Sequence, residues 1–238
     1  MRIRSEVVPF LVVVLLGSVL LYGLLVTVGV PITPAWISAL LVLIVSSGYL
    51  LWFFRNPTRV PPADETAILA AADGVVAVIK TFDPDAFSSI SMLAGLNPAD
   101  LGRLRTEPVT RISIFLSLFN VHVNRLPISG ESRFLGYFPG KHLFTFEEKS
   151  SDVNQHNSIL VSNDRTVCLV NQIVGPLCRR VVYWLAPDRS VAVKAGDAFG
   201  MMKFGSRLDM YFPSGDIELL VKEGERVQAG LSIIARYV

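Results

Sequence analysis

Cysteine and the common catalytic signatures are scarce in this chain. The two cysteines, Cys168 and Cys178, are too few for a disulfide framework and do not have the C-x2-C spacing of a zinc site. No G-x-S-x-G, P-loop, G-x-G-x-x-G or H-E-x-x-H sequence occurs, so the usual serine-hydrolase, nucleotide-binding and zinc-protease signatures give no support. His122, His142 and His156 are 20 and 14 residues apart. We predict no metal site from them, and the two cysteines are interpreted as small reduced core residues.

Charge is also scarce and nearly balanced. There are 22 lysines and arginines against 20 aspartates and glutamates. Binding to nucleic acid is dominated by phosphate and requires a strongly basic face. We therefore predict no nucleic-acid partner.

One long segment has no charge at all. After Glu6 the next charged side chain is Arg55, so the 48 positions 7–54 are uncharged in a chain with a mean hydropathy of +0.49. A membrane-spanning helix needs about 20 residues, and the glycine and prolines of the Gly29–Pro34 segment are poor in helix interiors. The sequence predicts a membrane anchor over residues 1–54, a transmembrane hairpin with helices at 7–27 and 35–54.

The flanking charges predict the orientation of this hairpin. Arg2 and Arg4 precede the first span, and Arg55 and Arg59 follow the second. By the positive-inside rule both ends face the cytoplasm, so we expect a protein of the cytoplasmic membrane with its soluble domain in the cytoplasm. The alternative is a cleaved signal peptide, but the apolar part exceeds the about 7–15 residues of such a segment and a second span follows.

Residues 55–238 have the pattern of a single β domain. Glycine, proline, asparagine and aspartate separate short apolar or alternating runs, at Val75–Ile79, Ile112–Leu116, Arg133–Tyr137, Ile159–Ser162, Val167–Val174, Val181–Leu185, Leu208–Phe212, Ile217–Val221 and Ile233–Tyr237. We predict a mainly β fold, a compact β barrel or sandwich. One helix is predicted at Asn97–Arg105, with Asn97 as N-cap and Pro98 in the first turn.

The sequence suggests a structure for three further segments. The apolar segment Phe87–Leu96 is interpreted either as a lid or membrane-surface segment, or as a loop folded onto the core. Turns are predicted at Ala72–Val76 and Val221–Gly230. The second turn resembles the glycine-bearing turn of lipoyl and biotinyl domains, which suggests a barrel-sandwich-hybrid-like shape and no particular chemistry.

Six short segments in a fixed order carry a family resemblance. Together they resemble the short, type A phosphatidylserine decarboxylase family, and they are Phe53–Pro57, Ala72–Gly74, Asn120–Pro127, Gly140–Lys141, Gly175–Arg180 and Phe204–Arg207. Phe-Gly-Ser-Arg alone is a weak signal. Six ordered matches that end on the processing motif are much more specific.

The resemblance implies a self-cleaving proenzyme. In the family, the serine hydroxyl attacks the preceding glycine carbonyl, and β-elimination from the resulting ester leaves a dehydroalanine that hydrolyses to a pyruvoyl group. Here that implies cleavage between Gly205 and Ser206, giving a β chain of 1–205 and an α chain of 206–238. The pyruvoyl group, a covalent cofactor made from Ser206, would form a Schiff base with phosphatidylserine and release carbon dioxide to give phosphatidylethanolamine.

Other site residues follow from the same resemblance. His122 is the candidate for proton transfer, and Asp73 for orienting Ser206 during maturation, or alternatively for a structural role in an Asp-Gly turn. Longer members of the family have a second histidine three residues after the first, where this chain has Arg125. Four basic residues are equal candidates for binding the phosphate or carboxylate of the substrate. They are Arg125, Lys141, Arg179 and Arg180.

Two other functions stay open on the sequence. One keeps the fold and changes the substrate, as in an archaetidylserine decarboxylase or another pyruvoyl-dependent decarboxylase. The other is a membrane-anchored biotinyl- or lipoyl-like carrier, since Met201-Met202-Lys203 is similar to a biotinylation site. The hairpin favours a lipid substrate and a membrane partner. An α/β heterodimer of the cleavage products is expected.

Overall fold

The computed structural model describes residues 1–90, 93, 96–97, 101–176 and 181–238. It divides into two compact units, Met1–Thr58 and Arg59–Val238. The first unit is helical and the second is built mainly of β-sheet. A mainly β fold after an apolar two-helix hairpin is thereby confirmed.

The first unit is an antiparallel pair of long apolar helices. Its elements are strand β1 Arg2–Ile3, a 3-10 turn Ser5–Val7, helix α1 Val8–Thr27, helix α2 Ile32–Phe53 and strand β2 Arg55–Asn56, which pairs with β1. The second helix begins three residues before the predicted position 35, because Pro34 is tolerated within the first helical turn. Both helices are long and apolar enough to cross a membrane, by length and composition.

The described residues of the second unit, Arg59–Val238, form the following helices, turns and strands. In chain order they are β3 Ala67–Leu69, β4 Gly74–Phe82, α3 Pro84–Ser88, a 3-10 turn Gly102–Arg105, β5 Val109–Leu116, β6 Val123–Arg125, β7 Gly130–Phe138, α4 Ser150–Val153, β8 His156–Ser162, β9 Val167–Val174, β10 Val181–Tyr183, β11 Val191–Val193, β12 Ala198–Met202, β13 Ser206–Pro213, a 3-10 turn Ser214–Asp216, β14 Ile217–Leu219, β15 Arg226–Val227 and β16 Ile233–Tyr237.

These strands form one large sheet and two small ones. The eight-stranded sheet has the order β11-β7-β8-β9-β13-β5-β4-β15, and the three-stranded sheets have the orders β10-β12-β6 and β14-β16-β3. Strand β13 lies in the middle of the large sheet and pairs antiparallel with β5 on one side and with β9 on the other. The residue that the sequence marks for cleavage therefore begins a central strand.

Both faces of β13 are buried, in two different cores. Because successive side chains of a strand point to opposite faces, Leu208, Met210 and Phe212 pack into one apolar cluster, and Tyr211 packs into another on the reverse face. Cys168 lies fully buried in the first cluster, as predicted, whereas Cys178 lies outside the described residues. The predicted strands agree with this sheet, and β13 extends the Leu208–Phe212 run at both ends.

The apolar segment after β4 is part of the core on the reverse face. Phe87, Ile90, Leu93 and Leu96 are all less than a tenth exposed and pack with Tyr211. Of the two interpretations, a loop folded onto the core is confirmed for these residues. Met92, which belonged to the same prediction, lies outside the described residues.

In the described part of the predicted helix Asn97–Arg105, Leu101 is helical and Gly102–Arg105 form a 3-10 turn. Gly102 has a φ of +46°, which belongs to the left-handed region and interrupts a right-handed helix. Pro98 and Asp100, on which the N-terminal half of the prediction depended, lie outside the described residues. The helix prediction was therefore wrong at its C-terminal end.

The two predicted turns contact each other. Strand β15 pairs with the start of β4, where Arg226 lies opposite Val75 and Val227 opposite Gly74. The backbone N–H of Ala229 donates to Oδ1 of Asp73 at 2.8 Å. Two segments more than 140 residues apart in sequence therefore form one corner of the domain.

Candidate active site

Five strand ends meet at one edge of the large sheet. Strand β4 begins there at Gly74, β5 ends at Leu116, β13 begins at Ser206, β9 ends at Val174 and β8 begins at His156. Ser206 lies directly opposite Leu116 on one side and Val174 on the other. Segments that the sequence separates by up to 132 residues are thus placed around a single residue, Ser206.

The backbone before Ser206 has an unusual conformation. Phe204 has a φ of +55° and Gly205 a φ of +72°. The left-handed region costs an L-residue about 1–2 kcal/mol, and a bulky side chain there marks a turn under strain. Such strain concentrates at functional sites where the surrounding structure holds it. The peptide bond that the sequence marks for cleavage therefore follows two consecutive left-handed residues.

The Ser206 hydroxyl is enclosed and is not used in the hydrogen bonding of the described residues. Its side chain is fully buried, and Oγ has no hydrogen-bond partner among those residues. A buried hydroxyl without a partner costs about 1–3 kcal/mol. Oγ of Ser206 therefore contributes no hydrogen bond to the described part of the fold.

The carbonyl oxygen of Gly205 lies in a narrow space beside Gly175. A Cβ placed on Gly175 would be 3.1 Å from that oxygen and 3.2 Å from Cγ2 of Thr145. Both distances are shorter than ordinary van der Waals contact. Glycine at 175 therefore allows the carbonyl of the Gly205–Ser206 peptide bond to lie against the loop that contains Thr145.

Asn154 fixes this loop to the end of β9. Its side-chain amide donates to the carbonyls of Leu143 at 2.8 Å and Val174 at 2.9 Å, and its Oδ1 accepts from the N–H of Leu143 at 3.0 Å. Asn154 is 1% exposed. Three hydrogen bonds from one buried side chain thus set the position of Thr145 relative to Gly175.

We expect Gly175→Ala to slow self-cleavage about 10- to 100-fold, because a displacement on the order of 1 Å at a reacting centre has an effect of that size. The added methyl must push the Gly205 carbonyl or Thr145 away. The measurement is the rate at which a 206–238 fragment forms after synthesis of the full chain. Gly215→Ala is the matched control, since nothing lies within 4 Å of its added methyl. A wild-type cleavage rate in Gly175→Ala would contradict the role given to this close approach.

His122 lies at the same end of the molecule and has a defined tautomer. Its side chain is fully buried, and Nδ1 is 3.0 Å from the carbonyl oxygen of Asn120. A carbonyl only accepts, so Nδ1 carries the proton and the lone pair of the neutral ring is on Nε2. The N–H of Met202 donates to the backbone carbonyl of His122 at 3.2 Å. His122 is thereby tied to the segment that leads into Ser206.

The strand that follows His122 packs on the Ser206 face of the large sheet. Gln172 lies opposite Leu208 in β13, and cross-strand partners share a face, so Gln172 is on the face of Leu208 and Ser206. Its Nε2 donates to Oδ1 of Asn124 at 2.7 Å. Strand β6 therefore covers the face of β13 that carries the Ser206 hydroxyl.

Asp73 has well-defined hydrogen-bond partners of its own. Arg59 donates to Oδ1 of Asp73 at 2.5 Å and to Oδ2 at 2.8 Å, and the Ala229 N–H donates to Oδ1. Asp73 also lines a cavity of about 750 Å³ together with Ser117 and Asn120, which follow the end of β5. Its structural role is thus clear. Its predicted role in maturation stays a prediction.

The four basic residues assigned to substrate are placed differently. Arg125 is 9% exposed and donates to the carbonyl of Gly196 at 2.8 Å; burial, together with the positive charge of Arg59, lowers the pKa of Arg125. Lys141 is exposed. Arg179 and Arg180 lie outside the described residues. The structure does not test the binding role for any of them.

A buried ionic cluster lies on the face of β13 opposite Ser206, and the sequence did not predict it. Arg207 and Asp209 point to the face opposite Ser206 and form an ion pair at 2.9 Å, with side chains 1% and 0% exposed. Burial alone would lower the pKa of the neighbouring Arg111, but the negative charge of Asp209 and further groups outweigh it, so that this pKa is raised. Burial also raises the pKa of Tyr211. These buried side chains lie together on the face of the sheet opposite the Ser206 side chain.

Comparisons with known proteins identify the family of this chain. The family model described as phosphatidylserine decarboxylase matches residues 48–235. The chain therefore belongs to the phosphatidylserine decarboxylase family, whose members are carboxy-lyases.

Three curated relatives are named phosphatidylserine decarboxylase proenzyme. The protein of Erythrobacter litoralis is 41% identical over 86% of this chain and 77% of its own length. That of Carboxydothermus hydrogenoformans is 38% identical over 79% of each chain. That of Syntrophus aciditrophicus is 33% identical over 99% of this chain and 97% of its own. The last similarity includes the N-terminal helices.

Proposed function

We propose that the chain is a phosphatidylserine decarboxylase proenzyme that cuts itself between Gly205 and Ser206 and then converts phosphatidylserine to phosphatidylethanolamine. Family membership supports the overall activity. The single observation that supports the cleavage position is the pair of left-handed residues, Phe204 and Gly205, directly before a buried serine.

The proposed cleavage uses atoms that lie next to each other in the chain. Oγ of Ser206 attacks the carbonyl carbon of Gly205, the C–N bond breaks, and the amine of Ser206 takes up a proton, which leaves an ester. Loss of the Cα proton of Ser206 then expels Gly205 as a carboxylate and leaves dehydroalanine. Addition of water releases ammonia and leaves a ketone. A serine is required because its β-oxygen is first the nucleophile and then part of the leaving group.

The space at Ser206 suits the pyruvoyl group that results. The group keeps Cα and Cβ of Ser206 and exchanges nitrogen and Oγ for one keto oxygen, so it needs no additional volume in this buried position. At this position it would supply a carbonyl that can condense with the substrate amine and accept the electrons that decarboxylation releases. Strand β13, paired on both sides, holds it at the sheet edge.

His122 is proposed to transfer the proton in turnover. With its Nδ1 proton donated to Asn120, its Nε2 can accept a proton and return it. Asp73 is proposed to support maturation indirectly, by fixing the corner that it forms with Arg59 and Ala229. Arg125, Lys141, Arg179 and Arg180 remain the candidate contacts for the lipid phosphate or carboxylate.

The proposal also covers the domains, membrane and assembly. Residues 1–54 would anchor the chain with both ends in the cytoplasm, because the arginines at positions 2, 4, 55 and 59 flank the two apolar helices. The catalytic domain would then comprise residues 55–238, with a barrel-sandwich-hybrid-like corner at 221–230. The products 1–205 and 206–238 would stay together as an α/β heterodimer.

Mass spectrometry combined with an activity assay tests this function. We expect two fragments that meet at 205/206, a hydroxylamine-sensitive carbonyl at the N-terminus of the smaller fragment, and release of labelled carbon dioxide from phosphatidylserine. A single intact chain with biotin on Lys203 would instead support the carrier alternative. Carbon dioxide from free serine alone, or from ether-linked archaetidylserine in preference to the diacyl lipid, would move the activity to one of the other pyruvoyl-dependent decarboxylases.

A further inference from the structure

Three phenylalanines are exposed in the second unit, and all lie at the edge that carries Ser206. Phe119 is 70% exposed, Phe144 55% and Phe146 65%, and Leu118 beside Phe119 is 37% exposed. The other described phenylalanines of this unit are buried or half-buried. We call Leu118, Phe119, Phe144 and Phe146 the phenylalanine rim. Exposed apolar groups collected in one place mark an interaction surface, whereas single scattered ones do not.

The topology places both parts of the rim beside the site. Leu118 and Phe119 follow directly after the end of β5, whose last residue lies opposite Ser206. Phe144 and Phe146 belong to the connection between β7 and β8, which starts and ends at the same sheet edge. Thr145, between these two phenylalanines, is the residue that lies next to Gly175 and the Gly205 carbonyl.

The rim is held in place by polar contacts. The side chain of Asn120 accepts from the N–H of Ser117 at 2.9 Å and from its hydroxyl at 2.8 Å, which closes a tight turn around Leu118 and Phe119. The rings of Phe144 and Phe146 stack with centroids 5.3 Å apart, and Asn154 fixes the preceding Leu143. These contacts order the two loops before a partner binds, which lowers the entropic cost of binding.

We propose that the phenylalanine rim inserts into the surface of a phospholipid bilayer and so delivers a lipid headgroup to Ser206. This inference rests on the proposed function. A bilayer is the occupant favoured by the chain itself, because it also has two helices of membrane-spanning length and composition. The charged residues next to Phe144 and Phe146 have both signs, among them Lys141, Glu147 and Lys149. Insertion is therefore apolar and does not depend on anionic lipid.

The first test maps lipid contacts in the full chain. The protein is reconstituted in phosphatidylcholine nanodiscs that contain a phospholipid with a diazirine near the glycerol, and adducts are located by mass spectrometry after illumination. We expect adducts within 117–120 and 143–147 and none at Leu219 and Leu220, which are also exposed but belong to strand β14 and the residue after it. Absence of adducts from both rim loops would overturn the proposal.

The second test separates docking from chemistry. For each variant, turnover of phosphatidylserine within the nanodisc bilayer is divided by turnover of dissolved dihexanoyl phosphatidylserine. We expect this ratio to fall at least about tenfold in Phe119→Ser/Phe144→Ser/Phe146→Ser, because burial of even one phenylalanine side chain contributes on that scale. The ratio should stay unchanged in the control Leu219→Ser/Leu220→Ser. Formation of the 206–238 fragment reports folding, and Phe119→Ser alone is used if the triple variant is not cleaved.

The outcomes distinguish failure of membrane docking from failure of the proposed decarboxylase function. An unchanged ratio in a cleaved rim variant overturns membrane docking and leaves the decarboxylase function intact. If the wild-type protein releases no carbon dioxide from either form of phosphatidylserine, the proposed function itself fails, and the inference that rests on it fails too. A fall in the ratio together with adducts in the rim loops supports the proposal.

Discussion

Ser206→Ala is expected to give an uncut chain of 238 residues without decarboxylase activity. Alanine has no oxygen to attack the Gly205 carbonyl, and no pyruvoyl group can form without it. The fold should be retained, because Oγ of Ser206 has no hydrogen-bond partner among the described residues. We expect the free energy of unfolding not to fall, because the substitution removes a buried hydroxyl without a partner, which costs about 1–3 kcal/mol. Fragment analysis, carbon dioxide release and thermal unfolding measure the three effects.

Ser113→Ala is the matched control for this variant. Ser113 is also fully buried, lies in the adjacent strand β5 and has an Oγ without a partner among the described residues, but it faces the opposite side of the sheet. It should be cleaved and active at close to wild-type levels. Cleavage between 205 and 206 in Ser206→Ala would refute the proposed mechanism.

His122→Ala is expected to lower turnover about 10²- to 10⁴-fold, the usual contribution of a positioned general acid or base. Cleavage need not be lost, because the attack on Gly205 begins from atoms that the strained turn already brings together. The experiment therefore scores two quantities on the same preparation: the fraction of chain cut at 205/206, and the carbon dioxide released for each pyruvoyl group present.

His156→Ala provides a close control for the histidine experiment. His156 is 4% exposed, and its Nδ1 lies 2.9 Å from the carbonyl oxygen of Asn154, two residues before it, as in His122. It lies opposite Ile173, whose side chain packs on the face away from Ser206, and stacks on Phe138. Loss of stability without a comparable loss of turnover is expected. Equal turnover in the wild type and in His122→Ala would remove His122 from the site.

The sequence predicted the parts of this fold that depend on local pattern. Alternation defined most strands, and the uncharged stretch defined the two apolar helices to within a few residues. The predicted helix Asn97–Arg105 was wrong at Gly102–Arg105, which form a 3-10 turn, because the capping pattern was given more weight than Gly102, whose positive φ breaks the helix. Sheet order was not predictable, since it depends on pairings between segments that are far apart in the chain.

Much of the candidate site was predictable only through ordered family motifs. Ser206, Gly205 and Gly175 belong to such motifs, but the motif did not indicate that Gly175 is needed because a carbonyl oxygen lies against it. Thr145 and Asn154 were missed altogether, since their neighbours in sequence carry no pattern. The role of Asn154 becomes visible only when the three backbone groups that its side chain binds are known from the structure.

The central position of β13 has a consequence for the order of events in biogenesis. The 33 residues from Ser206 onward contribute strands to two of the three sheets described for the domain. Strand β13 lies between β5 and β9 in the large sheet. A peptide of fewer than about 40 residues rarely folds alone. We therefore expect that a separated 206–238 segment would not insert into these sheets. We therefore expect that the uncut chain folds first, and that the proposed cleavage leaves the new N-terminus at 206 in position between β5 and β9.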